Sequence, residues 1–309
     1  MERVKKISII GVGSVGSTLA FNILKNLDIE ELILIDIAGS LAKGVALDLE
    51  DTRAFLEFST KILGTSNINH IKNSDIVVVT AGKARSAGMT RYDLLNINKE
   101  IAKKIAKKIK EVAPTSLVIV ITNPVDFITY VIKKETGFGR ERIIGMGSSL
   151  DSARLLNLVY QMVKISPSSI ETMVLGMHSK DMLPLVKKCK VKGISIDKFL
   201  SQEKIKLISE KTKIRGKEIV ELLKNRSAHF APSLAGYQLI EAIVKDKKEI
   251  ICASTYLNGE YGIKNVCIGV PCIIGRKGII KIIEIELSRE EKEKLLKSAN
   301  YFRECMSLQ

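Results

Sequence analysis

Six residues near the start constrain this chain most. Gly11-Val12-Gly13-Ser14-Val15-Gly16 follow the short apolar run Ile7–Ile10 and open the helical stretch Val15–Leu27. In a strand–turn–helix unit each glycine has its own task. Gly11 permits the tight turn, Gly13 lets the backbone approach a pyrophosphate, and Gly16 allows the helix to pack closely on the sheet. The free N–H groups of the helix start then face the phosphates. The next apolar run, Leu32–Ile35, ends at Asp36, 20 residues beyond Gly16. A carboxylate there accepts hydrogen bonds from both hydroxyls of an adenosine ribose and repels a 2′-phosphate. The pattern therefore predicts a dinucleotide site made by Gly11, Gly13, Ser14, Val15, Gly16 and Asp36, with NAD preferred over NADP. A purely structural glycine turn beside an incidental acid is the competing reading. The hexapeptide alone does not separate the two; the strand and acid in register favour the first.

Ile76–Val79 and Leu117–Ile121 are further short, β-branched runs separated by helical patterns. Such runs read as buried parallel strands with crossover helices, which is the α/β doubly wound, Rossmann-type parallel sheet. From about Asp151 the pattern changes. Helices are predicted near Asp151–Val163, Gln202–Lys224, Leu234–Val244 and Arg289–Glu304, and strands over Glu171–Leu175, Val266–Ile274 and Ile279–Ile285. Gly275-Arg276-Lys277-Gly278 reads as a hairpin turn between the last two. The expected division is a dinucleotide-binding domain over residues 1–147 and an α+β catalytic domain over residues 148–309.

Composition removes other function classes. The formal charge is +15, but aromatics are 5%, Trp is absent, and no nucleic-acid motif occurs. A positive field favours an anionic substrate and cofactor instead. No run of about 18 apolar residues spans a membrane. Ile101, Ile105 and Ile109 form one stripe of IAKKIAKKIK, with five lysines on the remaining surface. That pattern fits either a membrane-surface helix or, more economically, a crossover helix with a solvated face. Five cysteines, with no C-x-x-C pair, suggest neither a disulfide framework nor a metal site. With no apolar leader in Met1–Lys6, a reduced, cytoplasmic protein is expected.

An NAD-type site calls for an acid or base and a grip on an anionic substrate beside the nicotinamide. Asp151 and Arg154 lie i, i+3 on one predicted helix. Arg154 could hold a carboxylate through two parallel bonds, and Asp151 could orient a histidine. The histidines are His70, His178 and His229. His178 follows a predicted strand and Gly176, but spacing leaves a surface or core role open. Ala81–Arg91, with two glycines and two arginines after a strand end, reads as a loop over a site or as an ordinary basic loop.

The glycine turn, Val79-Thr80-Ala81-Gly82, Thr122-Asn123-Pro124-Val125-Asp126, Leu150-Asp151-Ser152-Ala153-Arg154 and Gly259-Glu260-Tyr261-Gly262 together resemble the lactate/malate dehydrogenase family. The resemblance runs from about Ile7 to the final helix. It implies that His178 is the acid/base, Asp151 its orienting partner, and Arg154 the clamp on the C1 carboxylate. It implies that Arg91 polarises the carbonyl and that Asn123 bonds the reacting oxygen. Thr80, Ala81, Gly82, Asn98, Thr122 and Asn123 fall on the NAD side. Arg85 resembles the arginine of malate-specific members, where lactate-specific ones typically carry glutamine. Ser227 and Ala228 resemble small residues that leave room for a second carboxylate. The resemblance thus implies a dicarboxylate substrate, malate or oxaloacetate, and a homo-oligomer. Lactate dehydrogenase is the alternative enzyme. A catalytically weakened dinucleotide-binding protein is the other alternative, because the family's His-Gly-Asp is here His178-Ser179-Lys180.

Overall fold

The computed structural model describes residues 4–83, 91–224 and 227–307; for Arg91 and Tyr92 it describes the backbone alone. Arg85 therefore lies outside the described residues, as does the side chain of Arg91.

The first half builds a parallel sheet. In chain order it contains β1 (Lys6–Ile10), α1 (Ser14–Asn26), β2 (Glu31–Ile35), α2 (Gly39–Asp51), α3 (Arg53–Leu56), β3 (Lys61–Thr65) and β4 (Ile76–Val79). It continues with α4 (Arg91–Val112), β5 (Leu117–Val120), α5 (Val125–Thr136) and β6 (Ile143–Gly145). The strands stand side by side in the order β3-β2-β1-β4-β5-β6. Ile76–Val79 and Leu117–Val120 are buried at every position, as strands covered by helices on both faces must be. The lysine-rich stretch is a crossover helix: Ala102, Ile105, Ala106 and Ile109 of α4 join the core against β4 and β5. Its apolar stripe is thus covered by protein. No described helix is long and apolar enough to cross a membrane.

The second half contains α6 (Gly147–Val163), β7 (Ile170–Glu171), β8 (Val174–Leu175), β9 (Leu183–Pro184), β10 (Lys190–Val191) and β11 (Ile194–Ser195). There follow α7 (Gln202–Leu223), α8 (Phe230–Val244), β12 (Glu249–Asn258), β13 (Lys264–Gly275), β14 (Gly278–Ile282) and α9 (Arg289–Ser307). The strand expected over Glu171–Leu175 is two strands with different partners: β7 pairs with β10, and β8 with β9. Periodicity does not report the partner, so the break was invisible. The strand β12 was also not anticipated. It pairs antiparallel with β13, and its Ser254 meets Gly145 of β6, so β12, β13 and β14 together extend the six-stranded parallel sheet to nine strands.

The close approach of α1 to β1 is fixed at Gly16. A Cβ there would lie 2.0 Å from the Gly11 carbonyl oxygen. Alanine is the better helix former by about 1 kcal/mol, yet Gly16→Ala is expected to destabilise by about 1–3 kcal/mol through overpacking. The urea-unfolding midpoint measures this; a midpoint equal to or above the parent's would show that the turn yields without cost.

Candidate active site

The parallel strands all end at one edge, and the strand order reverses between β1 and β4, with β2 on one side and β4 on the other. A crevice at that switch point receives a ligand. Gly11 turns with φ +99°. The Thr80 hydroxyl donates to the Gly11 carbonyl at 2.6 Å, and the Ala81 N–H donates to the Ile10 carbonyl at 2.8 Å, so the end of β4 locks the turn after β1. The Thr122 hydroxyl, after β5, donates to the Ala81 carbonyl at 2.8 Å. Gly82 follows Ala81 at the exposed rim. Asp36 faces the same turn: its carboxylate accepts from the Val12 N–H at 2.8 Å and the Ala38 N–H at 3.0 Å.

These residues fit a dinucleotide. The first turn of α1, which holds Ser14 and Val15, has neither an acidic residue nor a side-chain cap, so its N–H groups stay available to phosphate. A Cβ on Gly13 would meet no protein atom within 4 Å, which leaves the approach to that helix start open. Each Asp36 oxygen accepts one bond and keeps lone-pair capacity for ribose hydroxyls.

Asn98 acts as a brace. Its Oδ1 accepts from the Lys83 N–H at 2.7 Å, and its Nδ2 donates to the Lys83 carbonyl at 3.2 Å and the Asn123 carbonyl at 2.7 Å. It is 1% exposed, so its amide is spent on holding two loops together. Asn123, next to the cis bond to Pro124, keeps its side chain exposed at the crevice.

The second half supplies the titratable centre. Of the three histidines, only His178 meets a buried acid: its Nδ1 lies 2.7 Å from Asp151 Oδ2. His70 is exposed, and His229 stacks on Phe230. Asp151 is 0% exposed, on the first turns of α6, and its Oδ1 accepts from Arg154 Nη1 at 3.5 Å. A carboxylate acceptor fixes the His178 proton on Nδ1 and leaves Nε2 for a substrate. Burial disfavours the imidazolium, but the Asp151 charge and hydrogen bond overcome it, and the His178 pKa is raised. Burial lowers the pKa of Arg154, against the opposing pull of Asp151. Arginine nevertheless stays charged. Arg154 Nε is buried and has no partner among the described residues. A buried donor left empty is costly, and a bound carboxylate would fill it.

Three elements pin His178. Gly176, with φ +84°, exchanges both main-chain bonds with Gly269 of β13. The Met177 N–H donates to Ser298 Oγ of α9 at 2.9 Å. The His178 N–H donates to Asp126 Oδ2 of α5 at 2.7 Å. Ser179 follows with ordinary backbone, buried, its hydroxyl accepting from the Asp181 N–H at 3.1 Å. The turn thus absorbs the departure from glycine. Lys180 is exposed in a groove beside Glu293 and Lys297 of α9.

Ser227 precedes α8, and no hydrogen bond joins it to His178, Asp151 or Arg154. Three residues with clear structural partners were given no role from sequence: Asp126, Ser254 and Gly216. Asp126 and Ser254 are polar groups inside otherwise apolar runs. Gly216 is an isolated glycine within the 22 residues of α7, a position that costs about 1 kcal/mol against alanine.

Gly216 stands against the Arg154 guanidinium: a Cβ there would lie 3.0 Å from Nη1. Gly216→Ala is expected to shift the Arg154 guanidinium and to weaken binding of a small carboxylate severalfold, without lowering the melting temperature. Calorimetric titration with NADH present, beside a thermal melt, tests this. Unchanged affinity would mean that Arg154 moves freely.

Comparisons agree on one family. A family model described as lactate/malate dehydrogenase, NAD binding domain, matches residues 5–145. A second, described as lactate/malate dehydrogenase, alpha/beta C-terminal domain, matches residues 148–308. The malate dehydrogenase of Bacillus israeli is 43% identical over 304 residues, 98% of this chain and 97% of its own. That of Staphylococcus epidermidis is 44% identical over 297 residues, 96% and 95% of the two chains. Among solved structures, Cryptosporidium parvum malate dehydrogenase superposes with a TM-score of 0.94 at 36% identity, covering 98% of both chains. Lactate dehydrogenase from Eimeria maxima with NADH and oxamate gives 0.95 at 34% identity, covering 100% of this chain and 95% of that one.

Proposed function

Because the chain belongs to the lactate/malate dehydrogenase family, we propose that it interconverts (S)-malate and oxaloacetate with NAD. The observation that carries this reading is the buried Asp151–His178 pair with Arg154 beside it and a guanidinium donor left empty. The named malate dehydrogenases at 43% and 44% identity support the choice of acid. Arg85 and the family resemblance around it support the same choice. Asp36 opposes a 2′-phosphate, which favours NAD over NADP.

When bound, NAD supplies the hydride acceptor, or NADH the donor, opposite the substrate carbon. Gly11, Gly13, Ser14, Val15, Gly16 and Asp36 would hold its adenosine and pyrophosphate. Thr80, Ala81, Gly82, Thr122 and Asn123 would line its path toward the reacting centre, with Asn98 bracing two of those loops. Arg154 would grip the C1 carboxylate in two-point fashion. His178 Nε2 would give its proton to the carbonyl oxygen in reduction and take it back in oxidation. Asp151 would hold the ring and stabilise the imidazolium. Asn123 and Arg91 would bond and polarise the oxygen as charge develops there. Arg85 would meet the second carboxylate, with Ser227 leaving room. The intact His178–Asp151 bond, on a turn that accommodates Ser179, disfavours a catalytically weakened protein.

The proposal extends to organisation. Residues 1–147 form the dinucleotide domain and residues 148–309 the catalytic domain, joined where α6 begins. The free cysteines fit a reduced, cytoplasmic setting. The exposed Leu41, Leu47 and Phe55 of α2–α3, with Phe230 and Leu234 of α8, fit coverage by a second copy in a homo-oligomer.

The raised His178 pKa sets the pH profile. Reduction needs the protonated ring, so its rate persists above the usual histidine range and falls as pH rises through the His178 pKa. Oxidation gains over the same interval. Asp151→Asn should move both midpoints to lower pH and cost on the order of 10²-fold or more in kcat. Profiles in both directions check this; unmoved midpoints would separate Asp151 from the proton.

Substrate choice is expected to depend on Arg85. With pyruvate its guanidinium would lie buried without a partner, a penalty on the order of 3–5 kcal/mol. That corresponds to a preference for oxaloacetate of roughly 10²–10³-fold or more. Arg85→Gln should lower kcat/KM for oxaloacetate steeply and raise it for pyruvate. A parent that prefers pyruvate, or an unmoved ratio in the variant, would overturn the malate assignment in favour of lactate.

A further inference from the structure

The proposed reaction leaves one buried acid without a task. Asp126, the second residue of α5, is 2% exposed and has both oxygens engaged. Oδ2 accepts the His178 N–H at 2.7 Å, and Oδ1 accepts the Ser254 hydroxyl of β12 at 2.6 Å. The charged or titratable groups facing it are His178, from the segment after β8, Asp151 of α6 and Cys267 of β13. Among the described residues, no lysine or arginine is hydrogen-bonded or ion-paired to this carboxylate. A buried acid without a cationic neighbour is expensive, and a main-chain bond could be satisfied by a neutral amide at less cost. Retaining a carboxyl here calls for a use of its charge.

We infer that Asp126 is a positioning residue for His178: it fixes the histidine's main chain while Asp151 fixes its ring, and its negative charge favours the imidazolium. The inference rests on the reading of His178 as the proton carrier. Two carboxylates, from α5 and α6, then act on one ring, with Arg154 opposing them. Burial pushes the Asp126 carboxyl up to about 6, against the Ser254 and His178 donors that hold it down. Above that range Asp126 carries its charge, and the support it gives to His178 fades as pH falls through it.

Asp126→Asn separates charge from shape. The amide oxygen can still accept the His178 N–H, and the amide nitrogen can donate to Ser254 Oγ, so the two bonds survive while the charge is removed. The experiment follows the His178 imidazole resonance by NMR against pH in protein carrying labelled histidine, with the signal assigned through His178→Asn. Thermal melts, NADH binding and the reductive pH–rate profile accompany it. Asp126→Asn is expected to fold with near-parental melting and NADH affinity, and its His178 titration should move to lower pH. Asp126→Ala should lose kcat as well, on the order of 10²-fold, because the main chain of His178 is released. An unmoved His178 titration in folded Asp126→Asn overturns the inference. If that variant does not fold, Ser254→Ala carries the test. It removes a donor, raises the Asp126 carboxyl further, and should still lower the His178 midpoint; no change there also overturns the inference. If the imidazole midpoint moves but the turnover profile does not follow, the coupling stands and the role of His178 in turnover is what fails.

Discussion

A carboxylate with no exposure to water must have partners, and the site is arranged around that requirement at Asp151. Its two oxygens take His178 on one side and Arg154 on the other. The first bond orients a ring that can move a proton. The second holds the arginine whose buried Nε has no partner among the described residues. Withdrawing either partner would leave a buried charge uncompensated, a loss typically of several kcal/mol. The acid therefore links the two side chains: whatever displaces Arg154 also changes the field at His178. Gly216 belongs to the same arrangement, because the missing side chain on α7 is the space the guanidinium occupies.

The halves of the site come from different halves of the chain, and hydrogen bonds join them directly. Asp126 lies three residues past Asn123, on the helix that begins beside the crevice, and it accepts the His178 N–H from the second half. Ser254 ties the same carboxyl to β12, the strand through which the antiparallel hairpin continues the parallel sheet. The nine-stranded sheet is thus more than a shared core. It sets the distance between the loops that would hold the cofactor and the histidine that would act beside it.

Much of this was legible in the sequence, for physical reasons. Strands β1, β2, β4 and β5 are short, apolar and β-branched, and burial on both faces demands that composition. The glycines and Asp36 announce themselves because their tasks admit few other residues. Spacing alone left His178 open to a surface or core role, and the family resemblance singled it out together with Asp151; the fold brings Asp151 of α6 to within 2.7 Å of it. The unread parts share one cause: they depend on distant partners. Strand β12 acquires its meaning from β6 and β13, and Asp126 from His178, 52 positions away. The split between β7 and β8 depends on which later segment each strand meets. Side-chain period carries none of this information.

The departure at Ser179-Lys180 follows the same logic. A glycine at the position after the histidine is required only where the backbone takes positive φ or something crowds the Cβ. Gly176 bears the left-handed turn of this segment, and Ser179 is absent from the non-glycine residues with positive φ. Its hydroxyl instead accepts the Asp181 N–H and closes the turn locally. Lys180 stands outside, in solvent beside α9, where a charge is screened. The state of His178 is set by its own burial and by the groups around it inside the fold, Asp151, Arg154 and Asp126. A charge reversal at the rim therefore weighs less than a neutral substitution inside.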